Sequence, residues 1–394
     1  MRISGVTPVP VTFTTEREPM SFCFVRIDTD EGVSGYGECC DSYGCSYAAV
    51  VAGAISDAFA PLLIGEETGP VEAAAQRLRA WTRRRLGDQG VAAHARSAVE
   101  IALWDLAGRA AGRPVADLIG RVRDRVAVYA SVGFLEEGSA DWHAEQLEPL
   151  IARGVGAVKV RLGPDWRADL ATLRELRARL GDSVELMVDV SEIFTVPTAL
   201  RVADELAALG AAWFEEPVPQ GEHAGVEELA GRAAVPIAYG EHIGGFDEAL
   251  DLLRRAPVTV LQPDASSCGG VAEAVRIAQL AASFGARVVP HVCAGPVSLA
   301  ANLHLAAAVP AIRLIEYPPS LAGAWNALGR GPELGPAAIV DGALCVPDGP
   351  GLGVALDEDA ARTHAYRAPR HLAGVRTGTV AVRSGFPERF TGDR

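Results

Sequence analysis

The chain has no apolar stretch approaching the about 18 residues that a membrane-spanning helix needs. Pro8 and Pro10 interrupt its first segment where a signal peptide needs an unbroken apolar helix, so a cytoplasmic protein without membrane contact is expected. It also lacks a Cys-x-x-Cys pair. Its 7 cysteines are an odd number, which signals neither a disulfide framework nor a structural zinc site. Cys39, Cys40 and Cys45 therefore read as free thiols of a reducing cell. Basic charge is short as well, with 36 Lys and Arg against 50 Asp and Glu and a net charge of −14. That balance excludes a general nucleic-acid binder, because neutralising phosphates needs a basic surface. The local run Arg83-Arg84-Arg85 reads as a solvated helix end.

What is present is a long alternation. From about Val126 onward, short apolar runs alternate with longer amphipathic ones, the pattern of successive βα units. The strands are expected at Val126–Phe134, Ala157–Leu162, Val184–Val190, Ala212–Glu215, Pro236–Gly240, Val258–Gln262, Arg287–Pro290 and Ile312–Ile315. Eight such strands alternating with helices predict an α/β fold, a (β/α)8-type TIM barrel. The polar residues closing these runs are Lys159 and Arg161, Asp189, Glu215, Glu241, Asp264, His291 and Glu316, spaced by roughly 23 to 30 residues as one βα unit requires. In such a barrel those positions form the catalytic face.

The length of 394 residues exceeds one barrel of about 250 and leaves room for a partner domain. The first 125 residues read as α+β. Phe22–Asp28 and Val33–Glu38 alternate around Thr29-Asp30-Glu31-Gly32 as a hairpin, and a helical pattern runs from Ala48 to about Gly112, clearest over Ala95–Ala107. The expected division is a domain over 1–125, a barrel over 126–340 and a C-terminal segment over 341–394.

Asp189, Glu215 and Glu241 close three successive apolar runs. Carboxylates crowded at the ends of neighbouring parallel strands repel one another unless a hard cation lies between them. Three oxygen donors with open positions suit Mg²⁺, one ion per subunit, and Mn²⁺ would fit them too. Asp264 and His291 end the sixth and seventh strands and should be adjacent. A carboxylate beside an imidazole fixes its tautomer and raises its basicity, which makes His291 the candidate general base and Asp264 its orienting partner.

Lys159-Val-Arg161, Asp189, Phe-Glu215-Glu216-Pro217, Gly-Glu241, Gln-Pro-Asp264, Pro-His291 and Ile-Glu316, in this order, resemble the enolase superfamily in its mandelate racemase-like branch. Gly35-Tyr36-Gly37-Glu38 resembles that family's capping domain, and Pro350-Gly351-Leu352-Gly353-Val354 its C-terminal return to the cap. The resemblance implies abstraction of a proton α to a carboxylate, giving an enediolate held on Mg²⁺ by Asp189, Glu215 and Glu241. It further implies a small carboxylic acid as substrate, a homo-oligomer, and a protonated Glu316 that hydrogen-bonds the substrate carboxylate.

Arg161 departs from the Lys-x-Lys pattern of the racemase. Arginine stays protonated, so a second base opposite His291 is missing and two-base racemisation is disfavoured. His291 can instead remove the α-proton and return it to a departing β-hydroxyl on the same face. The expected activity is therefore dehydration of an aldonic or aldaric acid to a 2-keto-3-deoxy acid, with Lys159 neutralising the substrate carboxylate. A racemase or epimerase using Lys159, and a catalytically silent acid-binding member, are the alternatives; a cycloisomerase is disfavoured because that branch resembles a Lys-x-Lys pattern with no His-Asp pair. Substrate contacts are expected from Tyr43 with its neighbours Asp41 and Ser42, from the segment Val11–Ser21, from Ser191, and from His242 if the strand does not turn it away.

Overall fold

The computed structural model of the protein describes residues 1–15, 19–41 and 43–367. Ser42, part of the Val11–Ser21 segment and residues 368–394 of the expected C-terminal segment lie outside the described residues.

The N-terminal part is a three-stranded antiparallel sheet, β1 (Ile3–Thr14), β2 (Pro19–Thr29) and β3 (Ser34–Cys39), in the order β1-β2-β3. The predicted hairpin is β2–β3, turning at Gly32 with φ 80°. β1 has no counterpart among the elements expected from the sequence, since Pro8 and Pro10 mask its β character; both sit on the sheet edge, where a missing N–H costs no ladder bond. The predicted helical stretch from Ala48 to about Gly112 is several helices, including Ala48–Ala54, Val71–Thr82 and Val91–Ala111, and the last, which holds its clearest part, crosses β3 at very short range. A Cβ on Gly37 would stand 1.8 Å from the carbonyl oxygen of Ala98, and one on Gly35 2.3 Å from that of Ala102. The paired glycines around Tyr36 are therefore a close-packing requirement.

The barrel strands are β4 (Arg125–Phe134), β5 (Ala157–Arg161), β6 (Glu185–Asp189), β7 (Trp213–Glu215), β8 (Ile237–Tyr239), β9 (Val260–Leu261), β10 (Arg287–Val288) and β11 (Leu314–Tyr317). They are parallel in the order β10-β9-β8-β7-β6-β5-β4-β11. The ring closes through the bridge Val288↔Ile312 and a hydrogen bond from Glu316 N–H to the Pro290 carbonyl at 3.1 Å. All eight expected strands are present. The eighth lies two residues further along than expected, so Glu316 is inside the strand rather than just beyond it.

A buried layer of Tyr129, Ala157, Met187, Trp213, Ala238, Val260 and Val289 fills the barrel interior. Because side chains alternate along a strand, the residues two positions further on point inward one layer higher. That step leads from Tyr129 to Ser131, Ala157 to Lys159, Met187 to Asp189 and Trp213 to Glu215, and it builds the floor of the mouth.

After β11 the chain returns to the cap. Ala343–Cys345 adds an antiparallel strand to the start of β4, Gly351 bridges to Pro114, and Ala365 bridges to Val11. Buried polar groups stitch cap to barrel. Glu38 accepts from the N–H groups of Gly295, Val297 and Ser298 at 2.6, 3.1 and 2.9 Å. Glu100 accepts from Val271 and Ala272 N–H and from the Trp104 indole. No helix among the described residues is long and apolar enough to cross a membrane.

Candidate active site

The mouth of the barrel is built around a buried lysine. Lys159 extends into the ring of carboxylates, with its Nζ in contact with Glu215 Oε1, 2.9 Å from Glu316 Oε1 and 3.6 Å from Asp189 Oδ2. Burial works against its charge, but Glu215 and Glu316 outweigh burial and hold its pKa well above the usual lysine value. Arg161 pairs with Asp189 Oδ2 at 2.8 Å. Burial opposes ionisation of Asp189, and Arg161 and Lys159 overcome it, so its pKa falls. Glu215 goes the other way, pushed up to about 7 by burial and by the crowding of Asp189, Glu316 and Glu241, although Lys159 opposes the shift. Its Oε2 already accepts from Gln262 Nε2 at 2.7 Å and from the Trp213 indole at 2.9 Å. Its Oε1 is thus the oxygen turned toward the cations. Gln262 stands two residues before Asp264 in Gln-Pro-Asp, so strand alternation was the signal that could have found it.

His291 and Asp264 meet as expected, with Nδ1 3.0 Å from Asp264 Oδ2. The other oxygen of Asp264 accepts from Ser266 N–H at 2.7 Å, Ser266 Oγ at 2.6 Å and Asn302 Nδ2 at 2.9 Å. That leaves Oδ2 for the imidazole alone. Nε2 of His291 is buried and has no hydrogen-bond partner among the described residues; Glu241 Oε2 and Glu316 Oε2 lie 3.7 and 3.8 Å away. Burial lowers the basicity of the ring, but Glu241, Glu316 and Asp264 raise its pKa well above the ordinary histidine value. Cys40, from the cap, brings its thiol within 4.8 Å of both members of the pair and donates to the Cys293 carbonyl at 3.4 Å. Ser266 and Asn302 were not singled out in the sequence and Cys40 was read there only as a free thiol, because their roles depend on contacts between distant segments.

One expectation is corrected here, and one condition is decided. Glu316 was expected to be a neutral acid. Burial would favour that form, but Lys159, His291 and Arg161 overcome burial and hold its pKa down at about 2, with Ser131 adding a hydrogen bond. Glu316 in this arrangement is an anion. His242 was expected to contact substrate only if the strand did not turn it away. The strand ends at Tyr239 and the backbone turns at Gly240 with φ 134°, which brings His242 Nε2 to 3.5 Å from Glu216 Oε2 and 3.8 Å from Glu241 Oε1.

A cavity above this floor is lined by Arg161, Glu316, Ser131 and Cys293 from the barrel and by Thr15, Met20 and Tyr43 from the cap. Tyr43 is therefore placed over the mouth. Asp41 is taken up by its own loop, accepting from Ser46 N–H at 2.8 Å, and burial pushes its pKa up to about 6. Ser191 lies beside Asp189, to whose Oδ1 it donates from its N–H at 2.7 Å, with φ 46°.

A closed (β/α)8 barrel whose mouth gathers acids, two buried cations and a His–Asp pair beneath an α+β cap defines an acid–base barrel enzyme. Family models agree with that class. Residues 142–360 match the enolase C-terminal domain-like family, and residues 2–120 match the mandelate racemase/muconate lactonizing enzyme N-terminal domain. The chain belongs to the mandelate racemase-like branch of the enolase superfamily. It is 32% identical over 349 residues to the D-galactarolactone cycloisomerase of Agrobacterium fabrum, covering 85% of this chain and 89% of the relative. It is 31% identical over 349 residues to the arabinonate dehydratase of Saccharolobus solfataricus, covering 86% and 89%. The crystal structure of an enolase superfamily member from a Polaromonas species superposes with a TM-score of 0.83 at 30% identity, covering 93% of this chain and 98% of that one.

Proposed function

We propose that the protein is a Mg²⁺-dependent dehydratase of an aldonic or aldaric acid, which removes the proton α to the carboxylate and expels the β-hydroxyl to leave a 2-keto-3-deoxy acid. The observation that carries this reading is the asymmetry of the site. One buried imidazole, oriented by Asp264, keeps a ring nitrogen without a partner, whereas Lys159 and Arg161 are both committed to carboxylates. The site supports one base and no second one, which favours elimination over two-base racemisation. The dehydratase from Saccharolobus is a relative of matching length.

Asp189, Glu215 and Glu241 would hold the metal. The fit rests on the donors: all are carboxylate oxygens, and burial together with the surrounding acids pushes Glu215 up to about 7, a surplus of negative charge that a hard cation would relieve. Bound Mg²⁺ would supply electrostatic stabilisation of charge developing on the substrate carboxylate. His291 takes the α-proton on Nε2, and Asp264 holds the resulting imidazolium. The same Nε2–H then passes to the β-oxygen as the C–O bond breaks, so the proton removed leaves in the water expelled. Lys159 and Arg161 face the substrate carboxylate as fixed donors, Glu316 keeps Lys159 charged, and Tyr43 contacts the hydroxylated chain from the cap. Ser191 and His242 border the metal ligands and are the remaining substrate contacts. The division into a cap over 1–125, a barrel over 126–340 and a returning segment from 341 is part of this reading.

A second reading, isomerisation, is favoured by the relative from Agrobacterium being a cycloisomerase. Both are tested by incubating the protein with Mg²⁺ and a panel of aldonic acids, aldaric acids and their lactones in heavy water. A carbonyl reagent follows ketone release, and NMR follows the remaining acid. The expected result is a 2-keto-3-deoxy product. Deuterium entering Cα without ketone would replace this reading by an epimerase, lactone turnover without ketone by a cycloisomerase, and no turnover of the panel by a binding protein.

A further inference from the structure

Each proposed Mg²⁺ ligand is followed within three residues by another side chain able to bind a cation. Glu192 follows Asp189, Glu216 follows Glu215, and His242 follows Glu241. These three outer residues converge: one ligand atom from each lies within 4.8 Å of the other two. We propose that Glu192, Glu216 and His242 form a second cation site, distinct from the inner carboxylate set, that takes a divalent transition metal of the Zn²⁺ type.

The donor set sets the class of ion. One imidazole nitrogen and two carboxylate oxygens suit Zn²⁺, Mn²⁺ or Co²⁺, whereas Mg²⁺ prefers oxygen alone. Independent support comes from unmet hydrogen-bonding capacity. Glu216 is only 1% exposed, yet its Oε1 has no hydrogen-bond partner among the described residues. Buried carboxylate oxygens are ordinarily satisfied, because leaving one unpaired forfeits its hydration with nothing in return. Its Oε2 lies 3.5 Å from His242 Nε2, too long for a strong hydrogen bond and suited to an ion between them. Beside it, the side-chain Oε1 of Gln220 is also buried without a partner, while the Gln220 N–H holds Glu192 Oε1.

The backbone presents these groups at some cost. Ser191, Glu192 and Glu216 have φ of 46°, 63° and 45°, left-handed conformations that non-glycine residues seldom adopt. A hydrogen bond from Glu192 N–H to the Glu216 carbonyl at 2.8 Å ties the two loops together. Glu241 Oε1, 3.8 Å from His242 Nε2, is placed to bridge the inner and outer sets. His242 is 39% exposed, which leaves the outer site an entrance from solvent.

The test counts Zn²⁺ bound by the full chain after metal removal, by calorimetry and by metal analysis after gel filtration. Wild type should take two equivalents, Asp189→Asn one, His242→Gln one and the double variant none. Glu192→Gln should weaken the outer equivalent by at least about tenfold, and His242→Cys should restore it because thiolate is a Zn²⁺ ligand. X-ray absorption of the zinc in Asp189→Asn should show an imidazole ligand that disappears on adding His242→Gln. A single wild-type equivalent that survives His242→Gln and is lost in Asp189→Asn would overturn the proposal, leaving His242 as an ion-pair partner of Glu216. Should Asp189→Asn fail to fold, the wild-type count and the imidazole signal in wild type against His242→Gln decide the matter alone.

Discussion

Two regions of this molecule bury many polar groups, and they treat them in opposite ways. At the seam between cap and barrel the buried carboxylates and His304 are completed. Glu38 has three backbone donors, Glu100 has two and an indole, and Asp105 accepts from Tyr36 N–H, Leu352 N–H and Arg109. His304 accepts from Ala116 N–H on Nδ1 and donates from Nε2 to the Leu352 carbonyl, both at 3.0 Å. At the mouth and in the layer just beneath it several groups are left incomplete: Tyr129 Oη, Glu216 Oε1, Gln220 Oε1 and His291 Nε2 are buried without partners among the described residues. Structural polar groups are satisfied within the fold; a site meant for a ligand keeps capacity for it.

The comparison predicts that changes at the mouth act on turnover, whereas changes at the seam act on stability. The largest effect should come from His291→Asn, which removes the proposed base while its side-chain amide can still donate to Asp264 Oδ2 in place of Nδ1. Ketone release should fall by about 10³-fold or more, with thermal unfolding little changed. A large drop in melting temperature instead would place His291 with the structural groups. Lys159→Met tests the exception, a mouth residue that is also structural. It strips Glu316, held as an anion chiefly by Lys159, of its nearest cation, and chemical denaturation should show a loss of about 3–5 kcal/mol.

His304 sharpens the seam side through pH. Burial lowers its pKa to about 4, below an unfolded value near 6.5, so the neutral ring is the form that stabilises. Its contribution is complete above about pH 6.5 and is lost as pH falls toward 4, about 3 kcal/mol in all. Denaturation curves of wild type minus His304→Gln, which can keep both hydrogen bonds, should show that slope in this window; a flat difference would mean the ring is not held neutral. The smallest effect is expected for Glu38→Gln. Burial pushes Glu38 up to about 8 against its three N–H donors, which narrows the charge difference from an amide, but the amide nitrogen cannot accept and leaves at least the Gly295 N–H without an acceptor, so the substitution should cost about 1–3 kcal/mol.

Much of this was legible along the chain. Short apolar runs ending in Asp189, Glu215 and Glu241 marked strand ends because a strand buried on both faces must be continuously apolar until it emerges. Lys159, Asp264 and His291 were legible through regular βα spacing, and the cap helix through its period. Glu316 lies on the eighth strand at the mouth, but the neutral form expected for it is opposed by Lys159, and a count of neighbouring acids could not show that Lys159 reaches across the barrel to it. Tyr43 was a loop residue like many others until the cap laid it over the mouth.

By itself the sequence determined the α/β alternation, the order of site residues and the sign of the molecule's charge, because those follow from local periodicity and composition. Tertiary structure alone decided which groups face one another. It paired Lys159 with two acids, closed Asp264 with Ser266 and Asn302, and turned His242 back toward Glu216. Charge state and partnership depend on distances of a few ångströms between residues tens of positions apart, and such distances exist only once the ring of strands has closed.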